Sequence, residues 1–215
     1  MIEIRGAEQA RYGPSVRLPK TDDAFSDQIL WHAQHGPANA AAYCRKILDS
    51  GALPRGISRA ELLVDLGEYS QMAGDVAAAG QAFREAVAES GTEVDSGTDP
   101  RPYLAEWCLA HGDPEEGRRV LDEVWRSRPR SVHPYISVGE LLEEQGDDAG
   151  AIKWLTAGAL RALRDDGQTL GDVQFILAAR RRVRLAQGFD EDDYDVMAEE
   201  LRDRIHPGFR DIDPA

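Results

Sequence analysis

His32 and His35 stand three residues apart beside Trp31, with Asp27 about a turn upstream. On a helix these three side chains would share one face and offer a metal an incomplete ligand set. Zinc takes four ligands, or three and a water, with a second shell behind them; the pair therefore reads as surface or half-buried histidines, and no metal is expected. Cys44 and Cys108 lie 64 residues apart with no second cysteine near either, which excludes a Cys-rich zinc knuckle and reads as two buried free thiols. The basic run Arg180-Arg181-Arg182-Val183-Arg184 would suit a phosphate or a nucleic acid. No aromatic platform is interleaved, however, and the acids of 190–193 follow closely, so an intramolecular ion-pair network is the better account. There is no glycine-rich loop with a lysine to cradle phosphate, no Gly-x-Ser-x-Gly elbow and no His-Glu-x-x-His. The chain is expected not to be an enzyme and to carry no cofactor. Trp107, Trp125 and Trp154, at helical spacing, read as packing residues rather than a ligand cage.

These side chains belong to a chain of 215 residues with 25 basic and 39 acidic groups, a formal charge of −14. Such a field repels phosphate backbones and favours basic partners. The charge is uneven: residues 61–100 hold nine acids against one base, whereas 1–60 hold eight bases against six acids. At 42% hydrophobic and 30% charged the chain can bury a core. Its longest apolar runs, such as 175–179, fall far short of the roughly 18 to 20 residues that cross a bilayer. Glu3 and Arg5 at the start, with no apolar stretch behind them, argue against a secretory leader. A cytoplasmic chain with neither a membrane nor a nucleic-acid partner is the expectation.

The elements that position these groups are betrayed by a repeat. Gly-Asp recurs at Gly74-Asp75, Gly112-Asp113 and Gly146-Asp147, at separations of 38 and 34 residues. Aligned on those dipeptides, Leu66, Leu104 and Val138 coincide, as do Gly67, Ala105 and Gly139, then Ala79, Gly117 and Ala151, then Phe83, Leu121 and Leu155. The four additional residues of the first interval fall in the Gly/Asp/Thr/Pro stretch 91–100, where an insertion does least harm. Apolar positions at helical spacing before and after each Gly-Asp make every unit two helices and a tight turn. Ser58 and Glu61 have the form of a capping box, and Asp75, Asp113 and Asp147 stand where they would cap the second helix of each unit.

A 34-residue helix-turn-helix unit with Leu66-Gly67, Gly74-Asp75, Ala79, Phe83 and Ala86 resembles the tetratricopeptide repeat. The unit with Tyr135, Gly139, Gly146-Asp147, Ala151-Ile152 and Leu155 is similar to it. The middle unit is looser, with Arg101 where a large apolar residue is usual and Gly117 and Val124 in place of alanines, although Pro129 closes it as the pattern expects. The resemblance covers about half the chain and implies an all-α fold, a right-handed superhelical α-solenoid of three repeats at about 60–93, 98–131 and 132–165 within 58–164. Phe25, Ile29, Ala33, Tyr43, Ile47 and Leu48 suggest a divergent helical pair over 21–57, and Val173, Ile176, Leu177, Val183, Tyr194, Met197 and Leu201 suggest capping helices over 165–205. Residues 1–20 and the tail 206–215 read as irregular, the whole forming one α-helical domain. The stretch 177–195 is similar to the end of some actinobacterial tetratricopeptide-repeat proteins associated with the Cys-rich zinc motif at the tail of the SecA translocase. That Cys cluster is absent here, so neither zinc binding nor a secretion link carries over.

The resemblance further implies a concave groove lined by the first helix of each pair. Carried over residue by residue, its positions are Glu61, Val64, Glu68, Gln71 and Met72, then Glu106 and Leu109, then His133, Ile136, Glu140, Glu143 and Glu144. Family members that clamp a chaperone's C-terminal carboxylate use Lys, Arg and Asn on this face; glutamates stand here instead, which disfavours that function. An acidic groove around Val64, Leu109 and Ile136 suits a basic or amphipathic segment of a cytoplasmic protein partner, held by a non-catalytic interaction module. Two alternatives stand beside it: a dedicated chaperone or inhibitor of one basic protein, and a nucleic-acid-associated or metal-dependent enzyme, which would need the arginine run or the His32/His35 pair.

Overall fold

The computed structural model describes residues 18–90, 98–165 and 167–206. Among these residues the secondary structure is helical throughout, apart from an isolated bridge between Thr21 and Arg55 that ties the chain before α1 to the loop before α3. The helices are α1 (Asp22–Gln34), α2 (Pro37–Ser50), α3 (Arg59–Met72), α4 (Val76–Ser90), α5 (Arg101–His111), α6 (Pro114–Ser127), α7 (His133–Glu144), α8 (Asp148–Ala162), α9 (Leu170–Ala186) and α10 (Asp193–Ile205). The irregular segments expected at 1–20 and 206–215, and the insertion within 91–100, lie largely outside the described residues. The chain divides into two compact units, the first ending at Gly117 and the second beginning at Arg118.

Local sequence chemistry sets the helix ends. At the start of α3 the Ser58 hydroxyl accepts from the Glu61 backbone N–H (3.1 Å), and the Glu61 carboxylate accepts from the Ser58 N–H (2.8 Å). This reciprocal box satisfies two donors that have no partner inside the helix. Ser58→Ala is expected to cost about 1 kcal/mol in urea unfolding. Asp75, Asp113 and Asp147 each accept a backbone N–H at the start of the following helix, from Ala78, Glu115 and Gly150. Gly74 and Gly146 adopt left-handed φ values of 82° and 77°. In both turns the following aspartate N–H returns to the preceding helix, from Asp75 to the Ser70 carbonyl and from Asp147 to the Leu142 carbonyl, a closure that a side chain on the glycine would strain. The middle turn differs: Gly112 has φ −111° and ψ −134°. Asp113, which precedes Pro114, is biased to extended backbone, so this turn cannot close in the same way.

In the first unit α1 to α5 pack in series, each against the next. Their core gathers Phe25, Tyr43, Ile47, Leu62, Leu63 and Leu66, with Ile47 and Leu62 fully buried. Each such side chain contributes roughly 1.5 to 3 kcal/mol by leaving water. Gly67 lets α3 and α4 approach closely, because a Cβ there would run into the Phe83 ring. In the second unit α7 to α10 also pack in series, around Tyr135, Val138, Leu155, Ile176, Leu177 and Val183. Gly139 stands in the same relation to Leu155, whose Cγ lies 2.7 Å from where a glycine Cβ would be. The small and large columns of the repeat are therefore complementary surfaces of neighbouring helices.

Candidate functional site

The acidic positions of the first unit are held by α3 and α5. Asp65 and Glu68 are one turn apart on α3, Glu106 lies on α5, and Tyr69 and Tyr103 pack between them and the core. The Tyr103 ring stacks on Phe83, their centroids 6.2 Å apart, which fixes its hydroxyl beside the carboxylates. Burial pushes the Asp65 carboxyl up to about 6, with the charge of Glu61 adding to the rise. Glu68 as a residue is exposed, yet protein packed around its carboxyl strips away enough water to push it up to about 7, helped by Asp65 and Glu106. The Tyr103 hydroxyl rises to about 12, through burial first and then through Glu68, Asp65 and Glu106. Among the described residues no ion pair joins Asp65 or Glu68 to a Lys or Arg. Like charges crowded in a partly dried setting favour a neutral form or an incoming cation.

The remaining groove positions fare differently. Glu61 is engaged in its capping box, Val64 is buried in the core, Gln71 and Leu109 are half-buried, and Met72 at 69% exposure is the most open large apolar residue among the described residues of the first unit. In the second unit Ile136 is buried, His133, Glu140 and Glu144 are exposed, and Glu143 is taken by an ion pair with Arg182. Asp65, Tyr69 and Tyr103 were not among the positions read from the sequence. The signal for Asp65 was its place one turn before Glu68.

The arginine run is consumed within its own unit. Arg180 is buried; its Nε donates to Thr156 Oγ1 (3.0 Å), its Nη1 to Asp195 (2.7 Å) and Asp192 (3.0 Å), and its Nη2 to Asp192 (2.6 Å). Arg184 donates to Asp195 and to the Asp190 carbonyl, Arg181 pairs with Glu191 and Glu199, and Arg182 with Glu143. Asp195, fully buried, is the central acceptor, and it lies just beyond the acidic stretch 190–193. His32 stacks on Tyr43 (4.3 Å) and His35 on Trp31 (4.0 Å), so both rings serve aromatic packing. Burial, then Lys46 and His35, pulls the His32 pKa below its ordinary value. Among the described residues no group of three His, Cys, Asp or Glu is gathered to hold a metal ion. Cys44 and Cys108 are free and buried, and burial raises both thiols, Cys108 to about 11, which leaves them protonated and unreactive at neutral pH.

A concavity that sequence reasoning missed lies in the second unit, where Arg128, Arg130, Arg161 and Arg164 meet Trp125 and Tyr135. No family model matches the chain, and no curated protein matches it either. No helix among the described residues is long and apolar enough to cross a membrane.

Proposed function

We propose that this chain is a non-catalytic interaction module of the tetratricopeptide-repeat kind, and that the acidic face of α3 and α5 receives a basic or amphipathic segment of a protein partner. The repeat assignment draws support from the Gly74 and Gly146 turns, the three aspartate caps and the interlocking of Gly67 with Phe83 and of Gly139 with Leu155. The binding reading is carried by the crowding of Asp65, Glu68 and Glu106 around Tyr69 and Tyr103. A lysine or arginine entering this face would let the carboxyls ionise and would rest its methylenes on the tyrosines and the exposed Met72.

Calorimetric titration of an amphipathic Lys/Leu peptide tests it. Asp65 and Glu68 titrate at about 6 and about 7 in the free protein, and a bound cation lowers both values. Affinity is therefore expected to strengthen as pH rises from 5.5 to 8, with protons released on binding near pH 6.5. Glu68→Gln is expected to weaken binding about tenfold at pH 8 and to flatten the pH dependence. An affinity that ignores both pH and Glu68→Gln would sink the proposal.

A further inference from the structure

In the second unit the end of α6, with α7 and α8, encloses a cleft of about 880 Å³, within the roughly 300 to 1,000 Å³ of small-molecule sites. Its lining combines the apolar Trp125, Ala157 and Leu160 with Arg128, Arg130, Arg161 and Arg164, and Asp165 is the one acid among its described lining residues. Four guanidiniums lining one cleft, in a chain of net charge −14, repel one another unless anions neutralise them. Asp165 pairs with Arg130 at 3.4 Å, its carboxylate accepts from the Gly167 N–H (3.0 Å), and it lies within electrostatic reach of Arg161. Among the described residues no ion pair is made by Arg128, Arg161 or Arg164. This sets them apart from Arg180, Arg181, Arg182 and Arg184, all of which are paired.

Two further observations place a ligand here. Arg161 Nε is shut off from solvent and has no hydrogen-bond partner among the described residues, whereas buried side-chain donors in folded proteins almost always have one. Arg128, directly after the last residue of α6, holds φ at 50°, the one positive value outside glycine among the described residues; a left-handed residue commonly ends a helix, but it is costly for an arginine, and such strain concentrates at ligand sites. Its neighbour is also fixed, since the Arg130 carbonyl accepts from Gln168 Nε2 (3.1 Å). Arg161 and Arg128 both lie within electrostatic reach of the Tyr135 hydroxyl, whose pKa burial raises against their pull.

We propose that this cleft binds a small organic phosphate, with its phosphate held by Arg128, Arg161 and Arg164 and its apolar body lying along Trp125, Ala157 and Leu160. A phosphate dianion offers three terminal oxygens to planar guanidinium forks; a carboxylate offers two oxygens and half the charge. The apolar part of the lining selects an ester over the inorganic ion.

Titration calorimetry of the full chain with AMP, adenosine, inorganic phosphate and a Glu-rich peptide tests this. AMP is expected to bind at least about tenfold more tightly than adenosine and than inorganic phosphate, to weaken as salt is raised, and to change tryptophan fluorescence. Arg128→Gln and Arg164→Gln, both at exposed positions, are expected to keep the circular dichroism of the parent and to weaken AMP about tenfold each. Arg161→Lys, which removes the planar fork but keeps the charge, is expected to weaken AMP and to leave the weak binding of adenosine unchanged. The proposal is overturned if AMP does not bind, if adenosine matches it, if the Arg128 and Arg164 variants bind it as the parent does, or if the acidic peptide binds more tightly than AMP.

Discussion

Asp195→Ala is expected to destabilise the second unit by about 3 kcal/mol, and to release the amides of α10 to hydrogen exchange before those of α7 and α8. The Asp195 side chain is fully buried, and its two oxygens accept from Arg180 Nη1, Arg184 Nε and the Asp192 backbone N–H. Removing one partner of a buried pair typically costs about 3 to 5 kcal/mol, because the surviving charge stays out of water. Arg180, with its side chain 6% exposed, would keep Asp192 as a partner, which places the loss at the lower end. Replacing both members, Arg180→Met with Asp195→Leu, removes the charge together with its counter-charge and is expected to recover most of the loss. Acid should act on the same network. The hydrogen bond from Arg180 is the main reason the Asp192 carboxyl sits at about 2, below its unfolded value near 4. Its contribution is complete above pH 4 and disappears as pH falls from 4 to 2. The crowded acids of the first unit have the opposite sign: Asp65 and Glu68, raised in the folded state, favour folding most below pH 4 and progressively less as pH rises towards 7. Urea midpoints across this range, with exchange assigning each transition to a unit, separate the two. A loss under 1 kcal/mol in Asp195→Ala would mean that apolar packing alone holds α10.

What could be read from the sequence was local. A cap needs only its own residue and the next three, so Ser58 with Glu61, Asp75 and Asp147 declare themselves in the chain. The Gly67 and Gly139 columns are visible because close approach of two consecutive helices demands a small residue at a fixed distance from the turn. Arg101, which departs from the apolar pattern of its column, makes sense only in three dimensions, where its guanidinium forks onto the buried Asp99. The acidic face was half legible. Glu68 and Glu106 follow from the repeat, but the drying of Asp65 and the presence of Tyr103 depend on how α3, α4 and α5 pack. The arginine cleft was not legible, because Arg128 and Arg130 stand some thirty residues before Arg161 and Arg164 in a segment whose charges nearly cancel. Composition averages that segment to near neutrality, and only the packing of the second unit gathers the arginines around one cleft.

The other large effect is expected at Gly158, where three helices of the second unit meet. A Cβ on this residue of α8 would sit 2.6 Å from Tyr135 Cβ and 2.8 Å from Tyr135 Cγ on α7, and would also strike Ile176 Cδ1 on α9. Ile176 is fully buried and its methyl has nowhere to go. The Tyr135 atoms stand next to the backbone, so relief requires α7 and α8 to move apart. Glycine to alanine inside a helix is worth about 1 kcal/mol in the variant's favour, while overpacking of a core costs about 1 to 3 kcal/mol. With two rigid neighbours struck at once the steric cost wins, and Gly158→Ala is expected to lower stability by about 1 to 2 kcal/mol, with Gly158→Val worse. Gly171 supplies the control of opposite sign. It lies in the first turn of α9, where a Cβ would meet Thr169 Oγ1 at 3.5 Å, an ordinary contact. Gly171→Ala is therefore expected to stabilise by roughly 0.5 kcal/mol. Tyr135 also lines the arginine cleft, so displacement of α7 in Gly158→Ala should carry the cleft wall with it and weaken AMP binding, whereas Gly171→Ala should leave it unchanged. Equal stability of the two alanine variants would show that α7 and α8 yield freely at this crossing, and that the small-residue columns reflect helix chemistry rather than close approach.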